Sequence, residues 1–245
     1  MHIYKELAKV YDLFMADVPY EDWANYLDQL LQTHKHSKLI LELGCGTGNI
    51  TTLLREKNYD MIGIDISSDM LMLAREKNND ILYLNQDMRN FELYGTVDAC
   101  ICICDSFNYI LEDIELISTF KLVNNYLNPK GLFIFDILTE YKYNHILANN
   151  SFSHLEKNSA YIWENYYDPN KKINEYYTNI FIEEKNGLYK KYEEFHYQKA
   201  YSQLQIEYFL KEANLTLLNV YDAFTLNKPK KDSERLMFIA QENGK

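Results

Sequence analysis

Three observations predict an α/β fold: a seven-stranded, mostly parallel sheet with an antiparallel last strand, carrying a small antiparallel β insertion. Short apolar runs alternate with helix-spaced stripes as far as residue 140. Three glycines stand at 44, 46 and 48, directly after the first apolar run. From about 141 to 200 the alternation gives way to β-rich segments separated by turn signals. Strands alternating with helices are what a parallel sheet covered on both faces requires.

The elements follow in order. Trp23, Tyr26, Leu27, Leu30 and Leu31 recur at helical spacing, so an amphipathic helix is expected from about Tyr20 to His34. Leu39–Leu43 is the first strand, and Ile50, Leu53 and Leu54 resume helical spacing after the glycines. Met61–Asp65 is the second strand, with Ser67 as N-cap of the helix that carries Met70, Leu71 and Ala74. Ile81–Leu84 and Val97–Ile103 are the third and fourth strands, and Leu116, Phe120, Val123 and Leu127 stripe a further helix. Asn128-Pro129-Lys130-Gly131 is expected to turn the chain into a fifth strand, Leu132–Ile137. Three meander strands are expected next, at Ser159–Tyr167, Ile173–Glu183 and Leu188–Gln198, with Asp168-Pro169-Asn170 and Asn186-Gly187 at the turns. A helix with Leu204, Tyr208 and Leu210 ends at Asn214, a residue that tolerates the left-handed cap conformation. Leu215–Ala223 and Arg235–Ala240 close the sheet as an antiparallel pair. The division expected is a cofactor-binding domain from 1–140 and 201–245, with an N-terminal helical cap, and an insertion at 141–200 over the substrate site.

Composition excludes several classes. With 47% hydrophobic and 25% charged residues the 245-residue chain is neither disordered nor fibrous. A net charge of −11 opposes a nucleic-acid surface. No apolar run approaches the roughly 18 residues of a membrane span, and Met1–Glu6 lacks a signal-peptide core, so a cytoplasmic protein without membrane partners is expected. Cys45, Cys100, Cys102 and Cys104 have no zinc-like spacing and read as small core residues of a reducing compartment.

The chemistry concentrates at the glycines. A loop without Cβ atoms lets a ligand approach the backbone, and the helix behind it offers free N–H groups. Asp65 ends the next strand, 21 positions after Gly44, where a carboxylate can accept two ribose hydroxyls. Asn49 stands where a dinucleotide loop needs its third glycine, so pyrophosphate is disfavoured, and Glu42 suits a ligand bearing an amino group. An adenosyl amino acid fits these features.

On these residues the chain resembles the class I S-adenosylmethionine-dependent methyltransferases, over most of its length. Leu41–Gly48 resembles the first motif of that Rossmann-like family, Ile62–Ser67 the second, and Asn85-Gln86-Asp87-Met88 the loop after the third strand. The resemblance implies S-adenosyl-L-methionine as cofactor. It implies that Gly44, Cys45, Gly46 and Gly48 pass beside the methionine part with Glu42 near the amino group, and that Asp65 holds the ribose with Ile66 on the adenine. It also implies that Asp87 and Met88 meet the adenine edge. Cys104–Tyr109 takes the position that faces methionine and substrate, and Tyr11-Asp12 resembles a segment that folds over the cofactor, so Tyr4 and Tyr11 are expected to help close the site. Lys130 and Asn214 replace glycines common in the family at turns away from the cofactor.

The resemblance leaves the acceptor open. After the fourth strand, Asp105-Ser106-Phe107-Asn108 lacks the prolines of DNA amino-methylating members, and Ile137 stands where metal-dependent members carry Asn, so no metal is expected. Transfer from a sulfonium needs alignment and exclusion of water, with a base optional. His196, Asp105 and Tyr109 are the candidate bases, and a hydrogen-bonded strand histidine is the bland alternative for His196. The 141–201 segment holds 11 of the 22 tyrosines and balances eight acids with eight lysines, so the excess negative charge lies elsewhere. It is read as an aromatic roof that includes Trp163 and suits a small acceptor that is flat or cationic; packing or dimer formation is the alternative. A non-catalytic cofactor-binding or assembly protein and a nicotinamide oxidoreductase are the rival functions, and the oligomeric state is open.

Overall fold

The computed structural model describes residues 8–33 and 38–245; Tyr4, the Met1–Glu6 segment and the expected helix end at His34 lie outside these. Two helices, α1 (Ala8–Phe14) and α2 (Tyr20–Gln32), precede the sheet. There follow β1 (Leu39–Leu43), α3 (Asn49–Glu56), β2 (Asp60–Asp65), α4 (Ser68–Lys77), β3 (Leu82–Asn85), β4 (Val97–Cys102), α5 (Asp113–Tyr126) and β5 (Leu127–Leu138). A π-helical turn (Lys142–Leu147) leads into β6 (Ser151–Glu156), β7 (Ser159–Asp168), β8 (Ile173–Glu183) and β9 (Tyr189–Lys199), and α6 (Gln203–Glu212), β10 (Leu215–Asp222) and β11 (Arg235–Glu242) complete the chain.

The large sheet runs β10-β11-β5-β4-β1-β2-β3, with β11 antiparallel to both neighbours and the other pairings parallel. Strand order reverses between β1 and β4, which opens a crevice at their carboxyl ends. Period-two side-chain alternation divides the core. Leu41, Cys100, Cys102, Phe133 and Phe135 face α5 and α6, whereas Ile40, Ala99, Ile101 and Ile134 face α2, α3 and α4. Cys100 and Cys102 are thus buried apolar residues, and the four cysteines are free thiols. Ser67 caps α4 by accepting from the Met70 N–H at 3.3 Å, and Asn214 takes φ +58° after α6.

Two expectations change. The 128–131 turn lies within β5, where the register against β4 jumps from Val97↔Leu127 to Ala99↔Leu132; Lys130 there has φ +65°. The inserted sheet has four strands, in the order β6-β7-β8-β9, rather than three. β6 eluded the sequence reading because Ser151–Glu156 is short and mixes polar with apolar residues, and its pairing with β7 supplies the extended conformation.

Candidate active site

The glycine loop bends sharply after β1. Gly44, Gly46 and Gly48 all have positive φ, from +54° to +74°. A Cβ on Gly44 would stand 2.7 Å from the Ser106 hydroxyl, so the loop after β4 packs against it; a Cβ on Gly46 would meet nothing within 4 Å, which leaves that stretch of backbone open to a ligand. Cys45 instead turns its thiol into the core. Asp65 organises the corner: its carboxylate accepts from the Gly46 N–H and the Ser67 N–H, each at 2.8 Å. Burial raises its pKa against these hydrogen bonds. The Asn85 side-chain amide donates to the Asp65 and Ile66 carbonyls at 3.0 and 2.9 Å, and Ile66 stays 57% exposed beside it, available to a flat ring.

Glu42 is buried at the end of β1 and accepts from the Thr51 hydroxyl. Burial pushes its carboxyl up to about 8, with Asp65 adding to the effect. A buried carboxyl beside an open glycine loop suits a cationic amino group, whose charge would favour ionisation. An open Gly46, two carboxylates one strand apart and an exposed Ile66 together fit an adenosyl amino acid. Asp87 and Met88 lie on the loop after β3; Asp87 is clasped by Arg89 at 2.6 Å, which overcomes burial and lowers its pKa.

The N-terminal helix is tied to this loop. Asp12 accepts from Thr47 Oγ1 at 2.6 Å and Asn49 Nδ2 at 3.1 Å and pairs with Lys77 Nζ at 2.6 Å. Together these lower its pKa against the effect of burial. Tyr11 lies among Tyr20, Cys104 and Tyr109; burial, then these neighbours, raise its phenol well above the ordinary value. Phe14 packs edge-on against Tyr161 at 4.9 Å and His154 at 6.2 Å, so α1 touches both the glycine loop and the inserted sheet.

The loop after β4 is bent through two consecutive left-handed residues, Cys104 at φ +63° and Asp105 at φ +52°. Such conformations in non-glycine residues persist only where surroundings hold them. Here Asp105 Oδ1 receives Arg235 at 2.6 Å and Oδ2 receives the Gln198 side-chain amide at 2.7 Å. Arg235 also bonds Asp136, a fully buried carboxyl that burial pushes up to about 6 although Arg235 opposes the shift. Gln198 Oε1 accepts from Tyr143 at 2.9 Å and Tyr176 at 2.5 Å. Asn108 adds a second tie, donating to the Leu138 and Lys199 carbonyls at 3.3 and 2.8 Å. These bonds fasten the inserted sheet to the loop after β4.

His196 and Tyr109 are brought together, their rings 5.9 Å apart and perpendicular, and the buried His196 has Glu194 at 3.1 Å. Asp105 departs from expectation: both its oxygens are engaged by cationic or amide donors, which suits an anchor rather than a base. Arg235 and Gln198 carry no local motif that marks them as site residues, and Tyr143 and Tyr176, counted in the sequence among the tyrosines of the aromatic roof, prove to hold Gln198. Within Tyr11-Asp12, it is Asp12 that makes the bonds to the loop.

Residues 40–131 match the family model described as "Methyltransferase domain". The chain is 33% identical over 246 residues to "Putative methyltransferase YqeM" of Bacillus subtilis (strain 168), covering 98% of each. It is similar to the crystal structure of an S-adenosylmethionine-dependent methyltransferase from Clostridium acetobutylicum ATCC 824, with 32% identity, a TM-score of 0.88 and coverage of 98% of this chain and 99% of that one. Over 132 residues, about half of each chain, it is 26% identical to a dTDP-3-amino-3,6-dideoxy-alpha-D-glucopyranose N,N-dimethyltransferase of Streptomyces fradiae.

Proposed function

Because this chain belongs to the class I S-adenosylmethionine-dependent methyltransferases, we propose that it transfers the methyl group to a small molecule held between the glycine loop and the inserted sheet. The family sets aside the non-catalytic and nicotinamide alternatives. One observation carries the proposal: Gln198 of the inserted sheet reaches down to Asp105, and α1 bridges the same sheet to the glycine loop. A site clasped from two sides favours a compact acceptor over a macromolecular surface. The Streptomyces fradiae relative, by its name, methylates an amino sugar nucleotide, which agrees with a small acceptor.

When bound, the cofactor supplies a sulfonium-activated methyl group. In this reading Glu42 receives the amino group, the backbone from Gly44 through Cys45 and Gly46 to Gly48 receives the methionine part, Asp65 the ribose, and Ile66 with Asp87 and Met88 the adenine. Tyr11 and Cys104 close over the reacting side. Arg235 and Gln198 hold Asp105 and so fix the loop that aims the acceptor, which is where geometry rather than acid–base power contributes most. His196, oriented by Glu194, and Tyr109 stand as proton acceptors for an acceptor atom that loses a proton. Asp105 and Asp136 already share a guanidinium, and no metal enters this reading. The free thiols suit a reducing, cytoplasmic setting, and residues 141–200 act as the acceptor-selecting insertion.

The test is transfer of tritiated methyl from labelled cofactor into a cell extract, fractionated by size. Label in the small-metabolite fraction is expected; label only in acid-precipitable protein or nucleic acid would reject the small-molecule reading.

A further inference from the structure

A cavity of about 370 Å³ opens between α2 and the loop from β10 to β11, a volume in the range of small-ligand pockets. One wall is aromatic. Trp23 and Phe224 stack with centroids 4.1 Å apart and planes 2° apart, braced edge-on by Tyr20 at 5.8 Å and Tyr26 at 5.9 Å. Phe224 presents its ring from φ +58°, an unusual conformation for a bulky residue. The cavity adjoins the reacting side, because Arg235 lines it, lies 5.9 Å from the Trp23 ring and hydrogen-bonds Asp105. Tyr20, which braces Trp23, neighbours Tyr11 and Cys104.

The charges of the lining select the occupant. The Arg235 guanidinium is satisfied by Asp105 and Asp136, and Glu234 by Lys142. That leaves Asp222 and Asp232 against Lys230; neither carboxylate has a side-chain hydrogen bond or ion pair among the described residues. Lys228 and Lys231 of the same loop are exposed and outside the lining. A stacked aromatic wall with two carboxylates against one lysine favours an organic cation, and a phosphorylated ligand would meet the excess negative charge.

Resting on the small-molecule reading above, we infer that this cavity is the subsite for the non-reacting end of the acceptor, and that this end is an organic ammonium group. Asp222 and Asp232 meet its charge, and the Trp23–Phe224 stack covers its apolar part.

The experiment follows the two indole N–H signals, from Trp23 and Trp163, in full-length protein saturated with S-adenosylhomocysteine, assigned with Trp163→Phe. Phenethylammonium is expected to move the Trp23 signal saturably in the millimolar range. The neutral isostere 2-phenylethanol should bind at least about five-fold more weakly, and Asp222→Asn with Asp232→Asn should weaken the ammonium by a similar factor while calorimetric binding of S-adenosylhomocysteine is unchanged. Equal binding of ammonium and alcohol, insensitivity to the two substitutions, a shift of Trp163 alone, or binding of inorganic pyrophosphate in place of the cation would each overturn the inference. The tritium experiment separates the two claims. A labelled small metabolite that lacks a cationic group leaves the small-molecule reading intact and removes this one, whereas label confined to macromolecules removes both.

Discussion

At the scale of single residues, two carboxyls on the neighbouring strands β1 and β2 carry different duties. Asp65 holds the loop through two backbone N–H groups, and its remaining lone pairs are assigned to the ribose. Charge-assisted hydrogen bonds contribute roughly 1.5 to 3 kcal/mol, so Asp65→Ala is expected to weaken S-adenosylhomocysteine binding about 10-fold or more by calorimetry. An unchanged affinity would reject the ribose assignment. Glu42 is instead held protonated by burial, up to about 8 in the folded protein against 4.5 for an ordinary glutamate. A carboxyl whose folded pKa is raised adds stability that is complete below its unfolded pKa and is lost as pH rises through the folded value. The cofactor-free wild type should therefore lose more thermal stability than Glu42→Gln between about pH 5 and pH 8.5. Cofactor affinity should move the opposite way, tightening with pH over that interval, since the amino group favours the ionised carboxyl. Calorimetry in two buffers of different ionisation enthalpy reads the proton released; a pH-independent affinity in wild type would separate Glu42 from the amino group.

At the scale of elements, α1 is the shortest α-helix among the described residues. Seven residues cannot sustain a helix alone, so its order comes from Asp12 on the glycine loop and Phe14 on the inserted sheet. Asp12 is partly exposed, and such pairs contribute modestly, about 1 kcal/mol or less. Asp12→Ala should therefore lower cofactor affinity by no more than about five-fold while raising amide exchange in α1 and residues 44–50. Exchange rates that do not change in α1 would show that the helix is held by something else. The inserted hairpins behave differently, because their turns are written locally: Asp168 accepts from the N–H groups of Asn170 and Lys171, and Gly187 supplies a positive φ of 76° between β8 and β9. These turns were legible in the sequence. β6 was not, since nothing in Ser151–Glu156 outweighs the pairing that β7 provides.

At the scale of the whole molecule, one guanidinium joins the loop after β4, β5 and β11, and through Asp105 the inserted sheet. Removing it leaves two carboxylates facing each other in a partly buried space, a change that costs about 3 to 5 kcal/mol in comparable cases. Arg235→Met should lower the unfolding free energy by that order in urea denaturation at pH 8. The loss should shrink toward pH 5, because Asp136 already titrates up to about 6 with Arg235 present and can take up a proton when the guanidinium is gone. A pH-independent loss would mean that the substitution acts through packing against Trp23 rather than through charge. Gln198→Ala is expected to release the insertion without unfolding the large sheet: exchange should rise in residues 104–110 and 189–199 while β1, β4 and β5 stay protected. Equal deprotection of both sheets would show that the two unfold as one unit.

By itself the sequence determined what is local: the strand–helix alternation, the three positive-φ glycines, the acid at the end of β2, the caps and the hairpin turns. Each rests on residues within a few positions of one another, where backbone sterics and hydrogen bonding act without help from the rest of the chain. Tertiary structure decided the clasp on the loop after β4. Arg235 lies 130 positions from Asp105, and Gln198 lies 93 positions from it. No pattern in the chain marks such partners, because they meet only after β11 has paired with β5 and the insertion has folded back. Low-dielectric burial then made that meeting specific, since Asp136, fully buried near the carboxyl end of β5, needs a counter-charge and Arg235 is placed to provide it.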